Sequence, residues 1–563
     1  MKTNKEIKRL NLLRFGAKWA VTLTSSLPLL KALHRVRSLA AGCFSFLLIL
    51  SSLHGAVPPE PQAPPPDDAP GIKGESAPTP AKAPPGSRAF QPAAAPAIGG
   101  AWQAQGPGPT RNGQVENIVP NNEVAGSIHA LAPHPTDASI LFAGAVNGGV
   151  WRTRNATASS PNWTPLTDEL SSLSIGALAF DPTDPTHNTL VAGVGRHSSF
   201  AQRGGPRTGI QRTTDGGDSW VEIDGAGVLL GKNISGIAAR GSVLMVAVNV
   251  ADVNTHPNVG LFRSTDTGVT FTQVSGSGSG LPLGLSHDLA GDRHRSQVLY
   301  TDVSQSSPAG GNGIYKSTDS GANWVRVSSS AMDALITSQT SNIEIAVGTN
   351  ETVYVGIING GRLMSVFRSG DGGATWVQMD TPATNENGTN VGVNPNPSGN
   401  PDPGGQGSIH FSIVADPTDT NLVYVGGDRQ PLEFINPTSI GATDFSGRLF
   451  RGNASQPAGS QWVHLTHSSM LGAAGGGTAS SSSPHADSRD AEFDANGVLI
   501  EGNDGGIYKR TSPRNNTGDW FSICGDIQPT EFHNIAYDAN ARVIAGGAQD
   551  TGTPREIAPG GTT

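Results

Sequence analysis

The sequence predicts an all-β protein, a β-propeller of four-stranded antiparallel blades with seven recognisable blades and an incomplete eighth unit. Three observations carry that expectation. A ten-residue turn motif recurs, as QRTTDGGDSW (Asp215, Trp220), FRSTDTGVTF (Asp266, Phe271), YKSTDSGANW (Asp319, Trp324) and FRSGDGGATW (Asp371, Trp376). Three looser copies, Trp151 to Trp163, Phe450 to Trp462 and Tyr508 to Trp520, keep the frame with a longer turn, which makes seven units. Their spacing of roughly fifty to eighty residues, in units made only of strands, is the period of propeller blades. Finally, 73 glycines and 41 prolines with few helix signals suit a chain of short strands and tight turns.

The elements follow in chain order. Residues 1–37 are rich in Lys and Arg, residues 38–53 (SLAAGCFSFLLILSSL) are apolar, and Gly55 and Ala56 are small. That order is an export signal, 1–56, with cleavage near Ala56. The apolar run is shorter than the ~20 residues of a membrane span, so membrane contact is expected only through an uncleaved leader. LAAGC is not a lipid-attachment site, because the apolar run follows Cys43 instead of preceding it. Residues 57–100 are Pro/Ala-rich, bury too little to offset their ordering entropy, and form an extended linker. The propeller occupies 101–563, and the product is secreted, periplasmic or on the cell surface.

Within each unit a strand ends in a turn such as DPTDP (181–185) or DPTDT (416–420), where Pro presets φ and Asp caps its own turn. An apolar second strand follows, such as LVAGV (190–194) or LVYVGG (422–427), then a loop, a third strand, the motif and an outer strand. In the motif, Gly321 supplies a positive φ, Asp319 accepts hydrogen bonds from turn amides, and Trp324 buries aromatic surface. These aspartates are read as fasteners and not as a calcium or sugar site. Cys43 and Cys524 are the two cysteines; with the leader removed, one thiol remains and no disulfide can form within the chain.

With these motifs the chain resembles the Asp-box (BNR-repeat) β-propellers, which include sialidases, xyloglucanase-type glycoside hydrolases, sortilin-type receptors and a photosystem II assembly factor. More narrowly it is similar to exported bacterial proteins labelled glycosyl hydrolase, BNR repeat, through AWQAQGPGPTRNG (101–113), VNGGVWRT (146–153), LSIGALAFDPTDP (173–185), HADSRDAEFD (485–494), EGNDGGIYK (501–509) and IAGGAQDTGT (544–553). WQAQG at Trp102 reads as an outer strand without its blade, and 531–550 as the start of an eighth unit without a box. Either these combine into a closing blade, or the chain is a fragment of a longer protein; the second is favoured, because relatives continue past the GGAQD segment.

The resemblance directs ligands to the face carrying the loops before each inner strand and between second and third strands. Aligned on the inner strands, His129, His287, Arg489 and His533 fall at equivalent positions, and Asp487 precedes Arg489 by two. The second-to-third-strand loops add Arg196, His197, Asp428, Arg429, Asp504 and Asp550 as binding candidates. Glycoside hydrolysis needs one carboxyl as acid and another as base or nucleophile, and Asp487, Asp490 and Asp504 are the catalytic candidates; solvated rim residues, with Asp504 shaping the NDGG turn, are the plainer alternative.

Enzymatic relatives imply further tests. Sialidases carry an Arg-Ile-Pro segment and a nucleophilic tyrosine; the segment is missing, and all six tyrosines sit at repeat strand positions. Xyloglucanase-type enzymes carry a first-blade aspartate before a Gly-Gly pair, where this chain has Val146. Sortilin-type receptors carry a cysteine-rich module absent here.

A net charge of −9 with no Lys/Arg run beyond the leader excludes a nucleic-acid surface. No phosphate loop, nucleophile elbow or Cys/His metal spacing occurs; GSGSG (276–280) and residues 472–483 read as flexible turn and mobile loop, and HAD (485–487) needs a third ligand from elsewhere before a metal is argued. No cofactor or metal is expected. Three functions remain: a propeller binding a glycan or protein partner through the loop face around its channel, a glycoside hydrolase with carboxylates on that face, or a scaffold.

Overall fold

The structure, a computed structural model, describes residues 106–561 apart from 253–255, 396–404, 433–434 and 468–475. The leader, the linker and Trp102 lie outside the described residues. The fold is a propeller ring of seven four-stranded antiparallel blades, spanning 128–165, 175–223, 232–273, 283–326, 340–378, 412–464 and 488–522. In the fourth, two short pieces, Leu283–Leu285 and Leu289–Gly291, share the innermost position. Among the described residues, helix is confined to Ser330–Asp333 and a 3-10 turn at His256–Asn258.

The innermost strands neighbour one another in cyclic order, and Ser488–Phe493 of blade 7 lies beside Ile128–Pro133 of blade 1. Blades 1 and 7 therefore close the ring directly. Ile128, Leu141 and Trp163 of blade 1 pack with Ile500, Ile507, Ile523 and Ile527 in one buried cluster. The segment 531–550 does not join a closing blade; it forms a separate two-stranded hairpin, Phe532–Asp538 and Val543–Ala548. Residues 110–124 cover the outer side of blade 7, where Ser522 N donates to Val119 O and Val115, Ile118 and Val124 pack near Trp520.

The repeated turns are fastened as their residue types require. Asp319 Oδ1 accepts from Asn323 N at 2.8 Å and from Ser317 Oγ, while Ser317 Oγ accepts from Gly321 N at 2.9 Å. Asp215, Asp266 and Asp371 repeat the pattern. Hydrogen bonds from the hydroxyls of Thr270 and Thr375 hold Asp266 and Asp371 down to about 2. Gly321 has φ +81, and a Cβ there would meet Met245 Sδ at 2.5 Å. Trp220, Trp324 and Trp376 sit one residue before their outer strands. Trp324 is buried with its indole N–H on Gly321 O, whereas Trp376 reaches Val327 O of the blade before it. Phe271 is buried in the same position.

A second repeated device joins the blades. In six of the seven blades a basic residue of the third strand reaches a carbonyl of a turn in the next blade. Arg263 bonds Ser320 O, Lys316 bonds Gly372 O, Arg368 bonds Thr420 O, Arg451 bonds Pro513 O, and Lys509 crosses the ring seam to Ala158 O. Arg152 bonds Gly216 O in the same way.

Candidate functional site

Inner strands carry a β-bulge near their start. Pairing skips one residue in blades 1, 2, 3, 5 and 7, and the skipped residues include His129 and Arg489. The hairpin skips His533. A bulge re-aims its extra side chain, which is why residues aligned two before the first apolar position are chemically distinct from the strands that carry them. His287 does not share this geometry; it lies in the break of blade 4, where its Nδ1 meets Asp302 Oδ2 at 2.8 Å.

Arg489 is the centre of the polar cluster. Its guanidinium is bidentate to Asp504, donates to His197 O at 2.8 Å and to Ser199 Oγ at 2.8 Å, and stands 3.2 Å from His410 Nε2. The 195–209 loop of blade 2 thus reaches to blade 7. Asp504 also accepts from Ser127 Oγ and Ser199 Oγ, each at 2.6 Å. It does not shape its own turn: Asn503 Oδ1 accepts from Gly505 N instead. His129 stacks on His197 with ring centroids 4.0 Å apart.

Electrostatics separate the carboxyls. Burial works against ionised Asp504, but Arg489 and His410 outweigh it and hold the group well below the carboxylate range. Burial pushes Asp487 up to about 7, with His410 opposing and Asp504 and Asp428 reinforcing. Asp428 is likewise raised to about 7 by burial, although Gln406 N and the Asn394 amide donate to it. Burial and the neighbouring Arg489 keep both stacked imidazoles neutral, His197 down to about 3.

Asp490 lies elsewhere. Its Oδ2 accepts from Leu131 N at 2.7 Å, latching blade 7 to blade 1, and Asp288 does the same for blades 4 and 5 through Ile345 N. Each thus joins the inner strands of neighbouring blades through one backbone hydrogen bond. Arg196 braces its own loop, with Nε on Gly205 O. His533 stands on the hairpin, edge-on to exposed Phe200, with Nε2 2.6 Å from Gln549 Oε1.

Beside the cluster is a cleft of about 330 Å³, bordered by Gln406, Arg429, Phe445, His485, Asp487 and Asp550. Arg429 lies over the Phe445 ring at 4.5 Å. Structure therefore gathers Asp487, Asp428, Arg429, Arg489, Asp504 and Asp550 at one mouth, and leaves Asp490, His287 and Arg196 outside it.

His410 is the residue the sequence did not flag. It is fully buried, with Nε2 3.1 Å from Ser199 Oγ and Nδ1 3.5 Å from Asp487 Oδ1. Ser199, His410 and Asp487 stand in the order of a nucleophilic triad, but Ser199 directs its hydrogen to Asp504 and Nδ1 has no hydrogen-bond partner. The serine is therefore not activated. His410 precedes Phe411, which holds the position aligned with Arg489 ahead of the strand Ser412–Ala415, so the alignment that selected Arg489 does not select it.

No family profile matches the chain. A stretch of 254 residues, 39% of the chain, is 28% identical to the xyloglucanase Xgh74A of Acetivibrio thermocellus and covers 28% of it. A second match, 262 residues and 45% of the chain, is 26% identical to a xyloglucanase of a Paenibacillus species and covers 21% of it. The chain thus spans less than a third of the length of these relatives. The GH74 xyloglucanase from Xanthomonas campestris has the same fold, with a TM-score of 0.50 over 78% of this chain and 60% of that one at 16% identity.

Proposed function

We propose that this chain is an exported propeller that recognises a polysaccharide in the cleft beside Asp487. The carrying observation is the cleft's lining: an aromatic ring, Phe445, with Arg429 over it, shares the cleft with Gln406, Asp487 and Asp550. Hydroxyl-rich ligands need paired donors and acceptors beside an apolar face. The distant xyloglucanase relatives support a glycan over a protein partner. Export rests on the basic and apolar order of residues 1–56, and among the described residues no helix is long and apolar enough to cross a membrane.

Hydrolysis is the second reading, favoured by two cleft carboxyls, Asp487 and Asp550, both raised by burial. A protonated Asp487 suits a general acid. Against it, the first-blade position that resemblance assigns to a general base holds Val146, which is fully buried. A panel of xyloglucan, mixed-linkage glucan, arabinoxylan and cello-oligosaccharides, assayed for binding and for reducing ends, separates the two. Binding that drops at least tenfold in Arg429→Ala and Phe445→Ala supports the cleft. Indifference to both substitutions, or no ligand in the panel, sinks it. Turnover abolished by Asp487→Ala decides for the hydrolase.

A further inference from the structure

Three side chains from separate elements face one buried point at the inner end of the cleft. They are His410 before the first strand of blade 6, Asp428 in its second strand Leu422–Arg429, and Asp487 before the first strand of blade 7. One ligand atom from each lies within 4.8 Å of the others; His410 Nδ1 is 3.5 Å from Asp487 Oδ1 and 3.9 Å from Asp428 Oδ1.

The polar atoms at this point are unsatisfied. His410 is 0% exposed, and neither its Nδ1 nor Asp487 Oδ1 has a hydrogen-bond partner. The other ring nitrogen is occupied: Nε2 has Ser199 Oγ at 3.1 Å, Arg489 Nη2 at 3.2 Å and Asp504 Oδ2 at 3.3 Å. In the tautomer with its N–H at Nε2, directed at the Asp504 carboxylate, the ring presents its Nδ1 lone pair to two more carboxyl oxygens. Facing acceptor atoms are costly in a buried site unless a proton or a cation lies between them, and the cation is the occupant that also uses all three groups. A carboxylate on the far nitrogen of the imidazole is also the usual outer support of a metal-bound histidine.

The ligands are positioned in advance. Asn394 Nδ2 holds Asp428 Oδ1 at 2.9 Å, and Gln406 N holds Oδ2 at 2.8 Å. The backbone approaches so closely that a Cβ at Gly405 would lie 2.0 Å from Asp428 Oδ2, so only glycine fits there. Tetrahedral ligands about 2.1 Å from an ion stand about 3.4 Å apart, near the spacing about His410.

We infer that His410 Nδ1, Asp428 Oδ1 and Asp487 Oδ1 bind one divalent transition-metal cation of the Mn²⁺ or Zn²⁺ class. One imidazole with two carboxylates is a mixed N/O set, suited to these ions more than to Ca²⁺, which takes six to eight oxygens. Three protein ligands leave a position open, and because Asp487 borders the cleft, that position faces the cleft's contents. The site stands apart from the glycan reading, since it is defined without any sugar.

The test uses the full chain, stripped with EDTA, dialysed against Mn²⁺ or Zn²⁺ and desalted, with bound metal counted by elemental analysis and melting temperature recorded in parallel. One equivalent is expected, with a higher melting temperature and one ¹⁴N coupling in the pulsed EPR spectrum of bound Mn²⁺. Asp428→Asn and Asp487→Asn should each weaken binding at least tenfold, whereas surface Asp218→Asn binds as wild type. Melting in EDTA reports whether each variant is folded, and Asp487, at the cleft edge, is the safer of the two. Wild type retaining neither ion, or both folded variants retaining a full equivalent, overturns the site. Glycan binding measured with and without metal is a separate readout, so loss of either proposal leaves the other standing.

Discussion

Arg489 and Asp504 show how one residue pair organises the mouth of the ring. Both side chains are almost wholly buried and bidentate to each other. Breaking such a pair leaves an uncompensated buried charge, so Arg489→Met should cost about 3–5 kcal/mol in urea unfolding. Arg489→Lys, which keeps the charge without the fork, should cost less; equal losses would show that geometry alone matters. Asp504 has a depressed pKa, so its contribution is present above the usual carboxylate range and fades only in strong acid. Glu501 behaves oppositely. Burial pushes it up to about 8, and its Oε1 has no partner. A group raised above its unfolded value of 4.5 binds more protons when folded, so its contribution is complete below pH 4.5 and is lost as pH rises through 8. Glu501→Gln should flatten the fall in melting temperature between pH 5 and 9; an unchanged slope would remove Glu501 as its source.

At the scale of the element, the Asp-centred turn is architecture. Asp319→Ala should cost about 1 kcal/mol, the net value of an exposed turn hydrogen-bond set, and leave ligand and metal binding untouched. Trp324→Ala, which empties a buried site, should cost about 3–5 kcal/mol. A larger effect on ligand binding than on stability would return these turns to the list of sites. Strand order, box and apolar second strand were all legible, because each depends on residues close in sequence. The bulges were not: they show in the alignment only as polar residues at a fixed offset, and His410 escaped because it stands one residue ahead of that offset, which Phe411 occupies. A basic residue stands at this third-strand position in every copy, yet in the six blades where it bonds a turn carbonyl the partner lies one blade on, beyond local reading.

The whole molecule is held by the seam between blades 7 and 1. Cys524 sits in that seam, fully buried, its thiol pushed up to about 11 by burial. In a Cys43→Ala background it should resist thiol reagents in the native state and react at the rate of global opening. Asp490→Ala, which removes the latch on Leu131, should speed that reaction while the other blade interfaces persist. Labelling of native protein within minutes would show that the seam opens locally.

Composition and repeat spacing were enough to determine the strand content and the seven recognisable blades, because each blade obeys the same short-range turn and pairing rules. Ring closure, the hydrogen bond of Asp490 to blade 1 and the meeting of His410, Asp428 and Asp487 were decided only in three dimensions. Those contacts join segments that are far apart along the chain, and no local preference specifies which loops a closed ring brings together.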